Sequence, residues 1–140
     1  MRDVRSLFAD YASHHQTAGN KVFHRLGIPL IMLTAIGMLA RVTIVHVNAA
    51  MLLIAVAEVV YLMLEWRLAL AMLVVSVAMY FLGAWMPMWL NVTLFVLGWI
   101  FQFIGHSVYE KKSPAFLTNI LHLLVGPLWI LNDVVPVVRT

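Results

Sequence analysis

Residues 68–85 read LALAMLVVSVAMYFLGAW, eighteen positions without a charged side chain. That is the length and character of a helix crossing a bilayer, where no water is at hand and each backbone N–H must find its partner within the helix. Comparable apolar runs lie on either side, at 28–47, 49–64, 92–108 and 115–131. Arg41 and His46 weaken the second half of the first run, and Glu58 interrupts the second. The last three hold only 16 or 17 residues, short for a span. Four or five crossings are therefore expected, and Gly126-Pro127 and Pro136 admit a shallow, tilted or re-entrant fifth element.

The composition agrees. Of 140 residues 64% are hydrophobic and 11% charged, and mean hydropathy is +0.95, whereas a soluble domain is roughly half apolar and about a quarter charged. A chain this small has too little interior to hide so much apolar surface from water. The expected fold is all-α: one polytopic membrane helical bundle over 1–140, with 1–27 as a cytoplasmic or interfacial segment, 28–131 as the spans and 132–140 as a tail. The absence of cysteine excludes a disulfide scaffold, thiolate-held zinc or iron–sulfur centres and a thiol nucleophile. The net charge is +3 and the pI about 9.6. The cations sit between apolar runs, which suits anionic lipid head groups, and no basic stripe follows a nucleic-acid backbone. Because the first long apolar run begins only near Gly27, no cleavable signal peptide is expected.

Within 1–27, Val4, Leu7, Phe8 and Tyr11 make one stripe of a helix lying at the membrane interface. Gly19-Asn20 is expected to interrupt it, and Pro29 to open the first span. Arg2, Arg5, Lys21, Arg25, Arg67, Lys111 and Lys112 fall on one side of such a topology, and the loops at 46–49 and 86–91 carry no Lys or Arg. This bias predicts a cytoplasmic N-terminus. Arg41 must snorkel or point into the bundle, Arg139 lies outside if the fifth run crosses, and Glu58 is expected to face the interior and pair with Arg41 or Arg67.

Six histidines are many for so apolar a chain. His14, His15, His24, His106 and His122 converge on one membrane face, leaving His46 at the other as an interfacial residue. His106 and Glu110 share a helical face and can hold one metal ion, or the carboxylate can orient the imidazole. Imidazole and carboxylate without thiolate suit Fe(II), Zn(II) or Mn(II). An ordinary structural pair near the membrane surface is the competing reading. No G-x-S-x-G setting frames a serine nucleophile.

Two motifs carry a resemblance. The first is Tyr11-x-x-x-His15-x-x-x-x-Asn20-x-x-x-His24-x-x-Gly27-x-Pro29. The second is Trp99-x-x-Gln102-Phe103-x-Gly105-His106-x-x-x-Glu110-x-x-x-Pro114-Ala115, and Gly126-Pro127-Leu128 follows it. In order and spacing the chain resembles the 2-hydroxy fatty acid dioxygenases, small polytopic proteins of the fungal endoplasmic reticulum with bacterial members. The resemblance covers both ends, while the middle spans match only in hydropathy. It implies an Fe(II)-dependent enzyme of fatty acid α-oxidation that uses O2, without 2-oxoglutarate, to convert a 2-hydroxy fatty acid to the acid one carbon shorter. Carried over by position, His15, His24 and His106 are metal ligands, Glu110 is a ligand or the partner of one, and His122 and His14 are further ligand candidates. Tyr11, Asn20 and Gln102 are placed to hydrogen-bond ligands or substrate, and Lys111, Lys112 or Arg25 to attract its carboxylate. The expected partners are the 2-hydroxy acid, O2 and membrane lipid, without nucleic acid; the expected location is a bacterial inner membrane, or the endoplasmic reticulum if the source is eukaryotic. Membrane di-iron enzymes carry H-x-x-H-H clusters that this chain lacks, and the clustering at one face speaks against a haem between facing helices. The non-enzymatic alternative is a small structural or lipid-binding membrane protein with incidental histidines.

Overall fold

The computed structural model describes residues 3–111 and 121–139. Six helices occur there: α1 (Val4–Ser13), α2 (Ala18–Leu39), α3 (Ala49–Leu64), α4 (Trp66–Trp85), α5 (Met88–Ile104) and α6 (Leu121–Val134). A π-helical turn, Gly105–Glu110, extends α5. Arg2, Lys112, Pro114, Ala115 and the beginning of the fifth apolar run lie outside the described residues. α2, α4 and α5 with its π turn are long and apolar enough to cross a membrane, while α3 and α6 are shorter, at 16 and 14 residues.

α2 begins at Ala18, eleven residues before Pro29, which was expected to open it. Thr17 supplies the missing cap, its Oγ1 accepting from the Asn20 N–H. Gly19 does not break the chain; it is a notch, for a Cβ there would lie 2.1 Å from the Tyr109 ring. Pro29 sits inside the helix, which membrane helices tolerate. The first run also ends early, at Leu39, and residues 43–48 form a small antiparallel hairpin in which Thr43 faces Asn48. His46 lies on this hairpin and is exposed.

The remaining connections are capped in the same way. Asn48 Oδ1 accepts from the Met51 N–H to start α3, and Glu65 starts α4 while bonding the Arg67 guanidinium at 2.9 Å. Arg41 gathers carbonyls at the ends of α2 and α4, from Gly37, Gly83, Ala84 and Met86, where a cation meets the negative end of a helix dipole. Glu58 therefore pairs with neither cation considered for it. Arg67 holds Glu65 and Arg41 holds backbone, and the buried Glu58 Oε1 has no hydrogen-bond partner.

α2 to α5 run up and down as a bundle, with α2 packed on α5, α4 and α3. The hairpin marks one end. At the other, α1 lays Leu7, Phe8 and Tyr11 against Val125, Leu128 and Trp129 of α6, over Tyr61, Leu68 and Met72. α6 stays at this end along its whole length: His122 meets Asp10, the Tyr61 hydroxyl donates to the Leu124 carbonyl, Trp129 packs on His15, and Asp133 pairs with Arg25. Asn132 closes it by bonding the backbone of Val137 and Val138. Among the described Lys and Arg residues, Arg41 alone lies at the hairpin end. Outside, the bundle is apolar, with Val56, Val74 and Phe81 exposed, and Trp66, Trp85 and Trp89 mark helix ends as interface anchors do.

Candidate metal centre

Three histidines from three segments meet under the α1–α6 layer. His15 comes from the turn after α1, His24 from the second turn of α2, and His106 from the π turn. Their exposures are 1%, 2% and 2%. His15 is stacked flat on Tyr11, ring centres 4.1 Å apart, and its Nδ1–H donates to the Tyr11 carbonyl at 2.7 Å. His24 Nδ1–H donates to the Asn20 carbonyl at 3.2 Å. Both rings are thereby fixed in the tautomer that leaves Nε2 as a bare lone pair. Burial also keeps the His15 imidazole neutral, pushing its pKa down to about 4.

Those lone pairs converge. His15 Nε2 and His24 Nε2 are 2.9 Å apart, and His24 Nε2 and His106 Nε2 3.2 Å. Two bare imidazole nitrogens repel at that distance, whereas nitrogens bound side by side to one ion at about 2.1 Å are separated by about 3 Å. One ligand atom from each of the three lies within 4.8 Å of the others. This donor set, all neutral nitrogen and no thiolate, fits a divalent transition metal such as Fe(II).

The other candidates are held elsewhere. Glu110 Oε1 accepts from the Thr17 N–H at 2.6 Å and from the Thr17 hydroxyl at 3.1 Å, so it secures the start of α2. His122 Nε2 is 3.0 Å from Asp10 Oδ2, and His14 Nδ1 is 3.0 Å from the Asp10 carbonyl. Asn20 is fully buried, with Nδ2 donating to the His14 carbonyl. Lys111 follows the π turn in a left-handed conformation, and the Arg25 guanidinium is taken by Asp133. Asp10 and Thr17 were not singled out from the sequence. For Thr17 a signal existed, since a threonine one residue before an amphipathic stretch is a capping pattern; Asp10 carried no such signal.

A cavity of about 330 Å³ opens from the three imidazoles. Ile28, Ile31, Met32, Ala35 and Ile36 of α2 line it, with Leu53, Ile54 and Ala57 of α3 and Phe95 and Trp99 of α5. From His24 to Ile36 the helix rises about 18 Å, close to one leaflet of a hydrocarbon core about 30 Å thick. Polar lining at the imidazole end comes from Tyr11, His122 and Gln102, and Ser76 adds a hydroxyl from the middle of α4. An apolar slot with three imidazole nitrogens at one end suits a long apolar ligand with a polar head.

Comparison with known proteins agrees with this geometry. The family model for 2-hydroxy-palmitic acid dioxygenase Mpo1-like proteins matches residues 1–136. The chain is 30% identical over 128 residues to the 2-hydroxy-palmitic acid dioxygenase MPO1 of Saccharomyces cerevisiae, covering 88% of this chain and 74% of that protein. No solved structure matches it. A helical chain with apolar, membrane-length helices, three clustered histidines and this match over nearly its whole length belongs to the Mpo1-like family of 2-hydroxy-palmitic acid dioxygenases.

Proposed function

We propose that this protein is an Fe(II)-dependent dioxygenase of fatty acid α-oxidation, converting a 2-hydroxy fatty acid and O2 to the fatty acid one carbon shorter. The observation that carries the reading is the convergence of three buried imidazole nitrogens, 2.9 and 3.2 Å apart, at one end of an apolar cavity. The reaction balances as R–CH(OH)–COOH + O2 → R–COOH + CO2 + H2O. Cleavage of the C1–C2 bond releases four electrons, all that O2 accepts, so no 2-oxoglutarate is needed.

Iron bound by His15, His24 and His106 would supply O2 activation and a Lewis acid for the substrate's carboxylate. The chain does the rest. The Tyr11 and Asn20 carbonyls hold two imidazoles with Nε2 inward, and Tyr11 braces His15 by stacking. Glu110 ties the segment bearing His106 to the start of the helix bearing His24. The cavity walls take the acyl chain, at about 0.8 kcal/mol per buried methylene, and keep water from the head. Asp10 and His122 form a polar pair at the rim. In this reading the His end faces the cytoplasm, as its Lys and Arg residues favour, and in a bacterium the membrane is the inner one.

The test is product identity. Purified protein is loaded with Fe(II) anaerobically, given 2-hydroxypalmitate and then O2, without 2-oxoglutarate. The expected product is pentadecanoic acid, formed in proportion to bound iron and lost in a folded His106→Ala variant. Iron-loaded protein that forms no shortened acid would overturn the reaction, and protein that binds no metal would favour a lipid-binding role with structural histidines.

A further inference from the structure

The Gln102 side chain is 3% exposed, lines the cavity, and leaves Nε2 without a hydrogen-bond partner. Burying an amide donor unpaired is costly, so a partnerless donor on a side chain of the cavity wall marks a place for a ligand's acceptor. Two neighbours fix its position. It lies one turn before His106 on the same face of the continuous α5–π helix. Across from it, Gly27 of α2 gives it room, since a Cβ there would stand 2.2 Å from Nε2.

That one turn sets Gln102 about 6 Å from His106 along the helix, on the side toward Trp99 and Phe95 and the apolar depth of the cavity. A fatty acid with its carboxylate at the imidazoles and its chain running toward Ile36 passes Gln102 on the chain side of the carboxylate, where the oxygen it can offer is the one on C2. Two other buried nitrogens on the wall lack a partner: His106 Nδ1, on a ring whose Nε2 already faces His24, and His122 Nδ1, on a ring packed on Tyr11 and His14. Resting on the function proposed above, we propose that Gln102 is the specificity determinant for the oxygen on C2: its amide N–H donates to the 2-hydroxyl oxygen and so separates 2-hydroxy acids from plain fatty acids. A site built around a polar donor discriminates against an analogue that leaves the donor unpaired.

Equilibrium binding tests this without turnover. Protein in lipid nanodiscs is loaded with redox-silent Zn(II), and 2-hydroxypalmitate and palmitate are titrated in turn while tryptophan fluorescence is read; Trp99 lies in the cavity wall. The wild type is expected to prefer the 2-hydroxy acid by about tenfold, the factor that about 1.4 kcal/mol represents. Gln102→Leu and the unbranched Gln102→Met should bring the two affinities within about twofold of each other, with zinc stoichiometry unchanged. Two variants guard against one failing to fold. A preference that survives in either folded variant, or a wild type with no preference, overturns the assignment of Gln102 and leaves the catalytic reading standing. A wild type that binds neither acid overturns both.

Discussion

Glu110→Ala removes a carboxylate that holds two segments of the site together. Its Oε1 accepts from the backbone and the hydroxyl of Thr17, at 2.6 and 3.1 Å. The π turn carrying His106 is thus fastened to the N-cap of α2, and His24 lies two turns beyond. An anion at that place satisfies one of the helix's orphan N–H groups and meets the positive end of its dipole. A hydrogen bond to an ionised group is worth about 1.5–3 kcal/mol, and the dipole adds about 0.5 kcal/mol. Alanine should therefore cost about 2–3 kcal/mol, and glutamine, which keeps an acceptor without the charge, about 1 kcal/mol. For a chain of this size these are falls in Tm of about 6–9 °C and about 3 °C. Because the imidazoles remain, each variant should still bind one Fe(II) per chain, with Kd weakened by about tenfold or less. Thermal unfolding and anaerobic iron titration on the same preparations give both quantities. A Glu110→Gln protein that melts like the wild type but no longer holds stoichiometric iron would refute the tether and put the carboxylate on the metal.

Three further outcomes follow from the same geometry. Gly105→Ala would bring a Cβ to 2.3 Å from Asn20 Oδ1; overpacking at that contact should cost about 1–3 kcal/mol and weaken iron binding by displacing His106, and a variant with wild-type melting and iron affinity would contradict the packing. In the metal-free protein, burial lowers the His15 pKa to about 4, against about 6.5 in the unfolded chain. The unfolded form then binds the proton more readily, so this contribution is fully present above about pH 6.5 and lost as pH falls toward 4; melts across that window should fall, and less steeply in His15→Gln. Ala57→Phe fills the cavity beside Ile54 and should lower kcat/KM for 2-hydroxypalmitate by about tenfold or more while sparing acids a few carbons shorter; an equal loss for all lengths would place the acyl chain elsewhere.

The membrane bundle could be read from apolar run length, because hydrocarbon permits little but helices, and the five runs correspond to α2 to α6. Local chemistry is where expectation and structure part. Pro29 and Gly19-Asn20 looked like breaks, but the Thr17 cap and the Tyr109 ring packed on Gly19 settle the start of α2. His15, His24 and His106 could be named because the family resemblance carried them over by position, as it also did Glu110, His122 and His14. That Glu110 caps a helix, and that His122 meets Asp10, depends on contacts 93 and 112 residues apart in sequence. Helical periodicity puts Glu110 on the face of His106, but in the π turn the neighbour that decides its partner is Thr17.

The proposed centre has three imidazoles sharing one ion, and X-ray absorption at the iron edge of the Fe(II)-loaded protein tests that most directly. It predicts one iron per chain with three imidazole nitrogens at about 2.1 Å, falling to two in His24→Ala while Glu110→Gln and His122→Gln leave the count unchanged. A first shell with fewer than three imidazoles, or one that changes when Glu110 or His122 is replaced, would contradict it.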